Sequence, residues 1–99
     1  MTCQTGIRMA FIASSTSFNT PTLAVGSSST SWWNNANPLT RVYAPGLQPS
    51  ASGCQLEITR TYYSQRLNSG VAEREFYLTV KNVGRVSCFG TVLLSSLEA

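Results

Sequence analysis

The chain has neither histidine nor aspartate, and it carries little charge of either sign. Charged residues make up 11% of its 99 residues, against about 25% in a typical globular protein. Without histidine there is no Ser–His or Cys–His nucleophile pair, and without aspartate there are no clustered acidic oxygens for a calcium loop. The three cysteines include no C-x-x-C pair that would indicate a zinc site. We therefore predict a non-enzymatic protein with no metal site and no cofactor.

Long apolar runs are also missing. No stretch approaches the about 20 residues of a membrane-spanning helix, and we predict no membrane span. The first apolar run, residues 9–13, is too short for the core of a signal peptide and lacks a basic start. We therefore expect cytoplasmic synthesis. The final compartment stays open, with a virion or another particle among the candidates.

Basic residues outnumber acidic ones, which raises the question of a nucleic-acid partner. The net charge is +3, and the six arginines stand singly along the chain. A phosphate-binding face needs several clustered cations. Because the sequence contains no basic run, we expect no nucleic-acid partner.

What the sequence does contain is period-two alternation in its second half. Residues 54–63, 73–81 and 85–95 each alternate apolar and polar side chains, which predicts three strands with one buried face. Residues 64–71 and 81–85 carry Asn and Gly and are predicted to turn the chain between them. Tyr62 shares the apolar parity of the first strand. The predicted inward face of this C-terminal three-stranded meander is Leu56, Ile58, Phe76, Leu78, Val80, Val86, Val92 and Leu94.

The first half predicts shorter strands between loops. Residues 7–18, 22–25 and 39–43 read as strands, residues 27–31 as a Ser/Thr-rich linker, and residues 44–46 as a turn. Nothing has the spacing of a long helix. We predict one all-β domain over residues 1–99, a small antiparallel β-sandwich of which an immunoglobulin-like arrangement is one form. A small β-barrel is the runner-up.

The cysteines test that prediction. In a flat meander, Cys54 and Cys88 would be roughly 16 Å apart, whereas a disulfide needs Cα atoms within about 7 Å. Only strands on opposing sheets would permit this bridge. We favour free thiols that pack as small apolar side chains, and Cys3 cannot pair in any arrangement that joins the other two.

One candidate binding site consists of the paired tryptophans and the asparagines that follow them in the sequence. Aromatic faces beside amide groups are typical of carbohydrate sites, because sugars offer C–H faces and hydroxyls. Adjacent residues of a strand point to opposite faces, so the competing interpretation is one tryptophan in the core and one at an edge or subunit contact. The candidate glycan-binding residues are Trp32, Trp33, Asn34, Asn35 and Asn37.

A second candidate site is an outward aromatic patch. Tyr63, Tyr77 and Phe89 fall on the predicted solvent side of the C-terminal strands, with Tyr43 as a further member. Exposed aromatic patches mark interaction surfaces. Together with the low charge, this patch predicts a structural or assembly subunit of a homo-oligomer or a larger particle, such as a virion or an injection machine. The alternative is a lectin-like carbohydrate-binding module.

Overall fold

The computed structural model describes residues 11–35 and 41–98, and it is all-β. This part of the chain contains no helix, and hence none long and apolar enough to cross a membrane. Alternating apolar positions and many β-branched or aromatic residues favour the extended backbone throughout. The strands are β1 (Phe11–Asn19), β2 (Ser28–Asn35), β3 (Arg41–Pro49), β4 (Leu56–Asn68), β5 (Val71–Asn82) and β6 (Gly90–Glu98).

The six strands form two antiparallel three-stranded sheets, in the orders β1–β6–β3 and β2–β5–β4. Strands β4 and β5 are the one consecutive pair in the same sheet, and the other connections pass from one sheet to the other. The predicted three-stranded meander is therefore wrong, because β6 pairs with β1 and β3 rather than with β5. Alternation shows that a strand has one buried face, and it does not specify which strands lie beside it.

Asn82 helps to hold the crossing from β5 to β6. Its side chain is fully buried, and its amide donates to the carbonyl oxygens of Leu23 at 2.9 Å and Val86 at 2.8 Å. Its side-chain oxygen accepts from the backbone N–H of Gly84 at 2.9 Å. Asn82 was predicted to lie in a hairpin turn, and it instead anchors the segment between β5 and β6 to the core by hydrogen bonds.

The β4–β5 hairpin is longer than predicted. Its strands run to Asn68 and Val71, so the loop predicted over residues 64–71 shrinks to a two-residue turn. Ser69 and Gly70 occupy that turn with φ angles of 52° and 81°. Two successive positive φ angles are typical of the type I′ turn, whose twist matches that of paired strands.

A β-bulge in β4 inverts the parity of the strand. The pairing with β5 shifts between Ile58 and Arg60, which leaves Thr59 as the extra residue. Beyond it, Tyr63 lies opposite Phe76 and Tyr62 lies opposite Tyr77. The predicted inward position of Tyr62 is therefore wrong, because one added residue moves every later side chain to the other face.

The apolar core draws side chains from both sheets. Phe76, whose ring contacts those of Trp33, Tyr43 and Tyr63, lies at its aromatic end. Each fully buried aliphatic or aromatic side chain stabilises the fold by about 1.5–3 kcal/mol. Val86, predicted to be inward, is exposed because it lies in the crossing segment. The buried cluster is Leu23, Phe76, Leu78, Val80, Val92 and Leu94, flanked by Phe18, Trp33, Tyr43, Leu47, Leu56 and Ile58.

Cys54 and Cys88 form a disulfide with Cα atoms 5.9 Å apart. The prediction of free thiols at these positions is wrong, and the reason is topological. Cys54 precedes β4 and Cys88 precedes β6, and these two strands belong to different sheets. The cross-link therefore connects the sheets, which is the arrangement that permits the bridge. Cys3 lies outside the described residues.

Two predicted breaks in the first half are strand instead. The predicted turn at residues 44–46 is part of β3, and the predicted linker at residues 27–31 largely belongs to β2. Pro45 is tolerated because β3 is an edge strand of its sheet, where a missing N–H need not interrupt a ladder. The predicted strand at residues 22–25 is reduced to a single bridge between Leu23 and Cys88.

Candidate interaction surfaces

The two tryptophans lie on opposite sides of β2. Trp33 is half-buried, with its ring centroid 5.1 Å from that of Phe18 and 5.9 Å from that of Phe76. Trp32 points outward and is 56% exposed. The pair therefore does not present a joint aromatic surface, as expected for adjacent residues of a strand.

The asparagines of the candidate glycan site follow the tryptophans. The backbone of Asn34 and Asn35 continues β2 opposite Glu75 and Arg74 of β5. Asn37 lies outside the described residues. Of the five candidate glycan-binding residues, Trp32 is the one whose side chain is described and exposed.

Tyr62 and Tyr77 stack on the outward side of the sheet β2–β5–β4. Their ring centroids are 4.5 Å apart and their planes differ by 6°. The guanidinium of Arg60 lies 4.4 Å from the centroid of the Tyr62 ring, in a cation–π arrangement. A ring face covered by another ring or by a guanidinium is not available to stack on a sugar. This stack therefore stabilises the sheet surface more readily than it offers a platform.

A buried carboxylate lies beside this stack. Glu75 is 5% exposed, accepts a hydrogen bond of 3.0 Å from the Tyr77 hydroxyl, and lies 3.3 Å from a guanidinium nitrogen of Arg66. The hydrogen bond to Glu75, then burial and the negative charge of Glu75, raise the pKa of Tyr77 above its ordinary value. The Glu75 carboxylate is thus paired with the Arg66 guanidinium and accepts a hydrogen bond from the Tyr77 hydroxyl.

We call the outward side of β2–β5–β4 the charged face. On it, the hydroxyl oxygens of Thr30 and Thr79 lie 2.9 Å apart across two strands. Both signs of charge occur on this side of β4 and β5, and a guanidinium nitrogen of Arg66 lies 3.9 Å from Glu73 and 3.3 Å from Glu75. By register with Tyr77, its members with described side chains are Ser28, Thr30, Trp32, Glu57, Arg60, Tyr62, Ser64, Arg66, Asn68, Val71, Glu73, Glu75, Tyr77, Thr79 and Lys81.

The outward side of β1–β6–β3 differs, and we call it the uncharged face. Val92 and Leu94 of β6 are buried, so their strand neighbours point away from the core. Leu93, at the middle of the face, is 48% exposed. None of its members carries an ionisable side chain. By register they are Ser15, Ser17, Asn19, Val42, Ala44, Gly46, Gln48, Thr91, Leu93, Ser95 and Leu97.

The three predicted interface aromatics do not share one face. Tyr63 points inward: its ring centroid is 4.9 Å from that of Phe76, and its hydroxyl accepts a 2.8 Å hydrogen bond from the backbone of Tyr43. Tyr77 points outward. Phe89 is half-buried, and its backbone exchanges hydrogen bonds with Ser50 at the start of β6. The predicted common patch is wrong because of the bulge and the crossing of β6, while a contact role for the individual residues stays a prediction.

Enzyme-like features are sparse in the part of the chain that the structure describes. No group of three or more Cys, Asp or Glu there is placed to hold a metal ion. An open depression of about 230 Å³ is lined by Gln65, Arg66, Leu67 and Ala72, which is smaller than the roughly 300–1,000 Å³ of ligand pockets.

Sequence reasoning missed the uncharged face, although a signal for it exists. Seven of the charged residues lie between positions 57 and 81, on β4 and β5. Residues 42–56 and 86–97 contain none. Mapping charge along the chain, in addition to counting it, would have indicated that one set of strands has an uncharged exterior.

Comparison of the chain with protein-family models, curated proteins and solved structures finds no significant match.

Proposed function

We propose that this chain is a non-catalytic structural or assembly β-domain, a subunit of a homo-oligomer or of a larger particle of the virion or injection-machine type. The observation that carries the proposal is the uncharged face. Interface cores are depleted in Lys, Glu and Asp, and none of the described members of this face is one of these residues. The solvent side of a half-buried sheet is ordinarily polar, whereas Val42 and Leu93 are exposed on this one.

We also propose that the two sheets pack as a small β-sandwich, of which an immunoglobulin-like domain is one form. Three observations support this packing: one buried cluster takes residues from both sheets, a disulfide connects them, and the molecule is only 18 Å thick. Packed sheets lie about 10 Å apart. A barrel would need strand pairing between the sheets, and none occurs among residues 11–35 and 41–98.

The disulfide is compatible with assembly outside a reducing cytosol. Stable disulfides persist on virion surfaces and in other oxidising environments. A bridge that links the two sheets stabilises the domain where the small core alone would be marginal.

Native mass tests the assembly proposal. We expect light scattering of the wild-type chain at micromolar concentration to give an average mass that lies above the chain mass of 10.7 kDa and rises with concentration. A monodisperse species of one chain mass across the accessible concentrations would overturn the proposal, because an assembly domain must recognise a neighbour.

The exposed Trp32 favours a second candidate function, a lectin-like module. This function predicts that Trp32→Ala abolishes glycan binding and leaves the thermal unfolding midpoint unchanged. Trp33→Ala is an unsuitable probe, because its ring packs on Phe18 and Phe76 and its loss would also destabilise the fold. A blank glycan array with folded wild-type protein would remove the candidate.

A further inference from the structure

We infer that the uncharged face is where a second copy of this chain docks, sheet against sheet, about a two-fold axis. The inference rests on the proposed function and specifies its partner and surface. A two-fold contact uses the same patch on both copies, so the patch must tolerate being placed against itself.

The sizes of neighbouring side chains on the uncharged face suit this contact. In register across the sheet, Ser17, Leu93 and Gly46 form one row, and Ser15, Ser95 and Ala44 form the next. Leu93 is thus flanked by small residues. Sheets that pack face to face interdigitate their side chains at about 10 Å separation. Leu93 can therefore project into the shallow space beside the Leu93 of a second copy, where only small side chains lie.

If two copies associate, electrostatics favours the uncharged face over the charged face as the surface through which they dock. The chain has a net charge of +3, so copies repel each other weakly at long range. Docking through the charged face would require desolvation of Arg60, Arg66 and Lys81, which is costly unless each finds a partner. Docking through the uncharged face removes no charge from water.

The polar groups of the uncharged face are small and partly satisfied already. The Thr91 hydroxyl donates a 2.8 Å hydrogen bond to the side-chain oxygen of Asn19. Short Ser and Thr hydroxyls can reorient toward a partner at little entropic cost. The absence of cations on this face also disfavours nucleic acid or an anionic membrane as its occupant.

The size of the face predicts a reversible contact. Nine residues of β6 at about 3.3 Å each and three strands at about 4.8 Å give a projected area of roughly 400 Å² per copy. Stable dimers bury about 800 Å² of accessible surface per partner. Projecting side chains make the accessible area larger than the projected one, but the contact is still small for a stable interface. We expect a dimer in exchange with monomer at micromolar concentration, which a larger assembly can reinforce.

Arginine substitutions on this face test the inference. Sedimentation velocity is run over a range of concentrations on the wild type, Leu93→Arg, Ser17→Arg and the control Val71→Arg. Val71 has a similar exposure, 55%, but lies on β5 of the other sheet. In a two-fold contact each substitution occurs twice, so we expect about a hundredfold weaker association for the first two variants and none of this loss for the control.

A charge-swap mixture completes the experiment. Leu93→Glu alone should also dissociate, and an equimolar mixture of Leu93→Arg and Leu93→Glu should associate again. Matching thermal unfolding midpoints show that every variant is folded. Association that persists in both Leu93→Arg and Ser17→Arg would overturn the inference and leave the assembly function standing. A wild type that stays monomeric throughout would overturn the assembly function, and the inference with it.

Discussion

Tyr77 donates a hydrogen bond of 3.0 Å to Glu75 on the outward side of β5. The carboxylate that accepts it is buried and is also paired with Arg66 at 3.3 Å. The Glu75 carboxylate therefore holds both the Tyr77 phenol and the Arg66 guanidinium on the same surface. This arrangement gives Tyr77 a part in the pH dependence of the domain.

We predict a loss of stability at alkaline pH that depends on Tyr77. The pKa of this phenol is raised in the folded state, mainly by its hydrogen bond to Glu75. The stability that it contributes is therefore complete below the unfolded pKa of about 10 and falls as the pH rises through the folded pKa. Thermal unfolding of the wild type and Tyr77→Phe between neutral and strongly alkaline pH measures it.

The wild type should lose more stability than Tyr77→Phe over that interval, since the variant lacks the ionising group. Tyrosine absorbance supplies a second readout, in which Glu75→Gln should shift one phenol of the folded protein to a lower pKa. Equal alkaline slopes in the wild type and Tyr77→Phe would contradict the prediction.

The disulfide should contribute substantially to stability. It closes a loop with a sequence separation of 34, for which chain entropy gives about 4 kcal/mol. We expect the double variant Cys54→Ser/Cys88→Ser to lose approximately that much free energy of unfolding in urea. Thiol titration of the denatured, unreduced Cys3→Ser variant, which retains only Cys54 and Cys88, should find no free thiol, and two would refute the bridge.

Asn82→Ala should be among the most destabilising single substitutions. It removes an amide that donates to the Leu23 and Val86 carbonyls, and an oxygen that accepts from Gly84. Each buried group left unpaired costs about 1–3 kcal/mol, so the expected loss is about 3 kcal/mol or more. The control Asn68→Ala removes one exposed side chain at the hairpin tip and should cost less than about 0.5 kcal/mol. Equal urea midpoints for the two variants would be the contrary result.

Glycine at position 84 is required for space. A Cβ there would lie 2.9 Å from the backbone nitrogen of Gln55 and 3.1 Å from the carbonyl oxygen of Gly53, and main chain cannot move aside cheaply. We expect Gly84→Ala to cost about 1–3 kcal/mol, as overpacking does. In Gly46→Ala the nearest atoms lie at 3.8 Å, so its stability should match the wild type within about 0.5 kcal/mol. Chemical denaturation of both variants provides the comparison.

Alternation in the second half predicted the strands of β4, β5 and β6, and with them most of the core. Phe76, Leu78, Val80, Val92 and Leu94 are buried as expected. Alternation is a local property, so it carries no information on which strands pair. That is why β6 was predicted beside β5, although it lies between β1 and β3.

The positions of the surface aromatics depended on one feature that the sequence does not reveal. A bulge at Thr59 adds a residue without any change in composition, and Tyr62 and Tyr63 exchange sides as a result. The opposite orientation of Trp32 and Trp33, by contrast, followed from the alternation of neighbouring side chains in any strand. The relative orientation of neighbouring side chains was therefore predictable, whereas the face on which they lie depends on the pairing register of the strand.

The bulge also constrains how this gene can change. Within residues 60–65, loss of a single codon would move every later side chain of β4 to the opposite face, so that Arg66, which pairs with Glu75 on the outward side, would face the core. A substitution in the same stretch alters one side chain only. Homologous chains should therefore differ here by point replacements, and any length variation should be confined to the turn at Ser69 and Gly70.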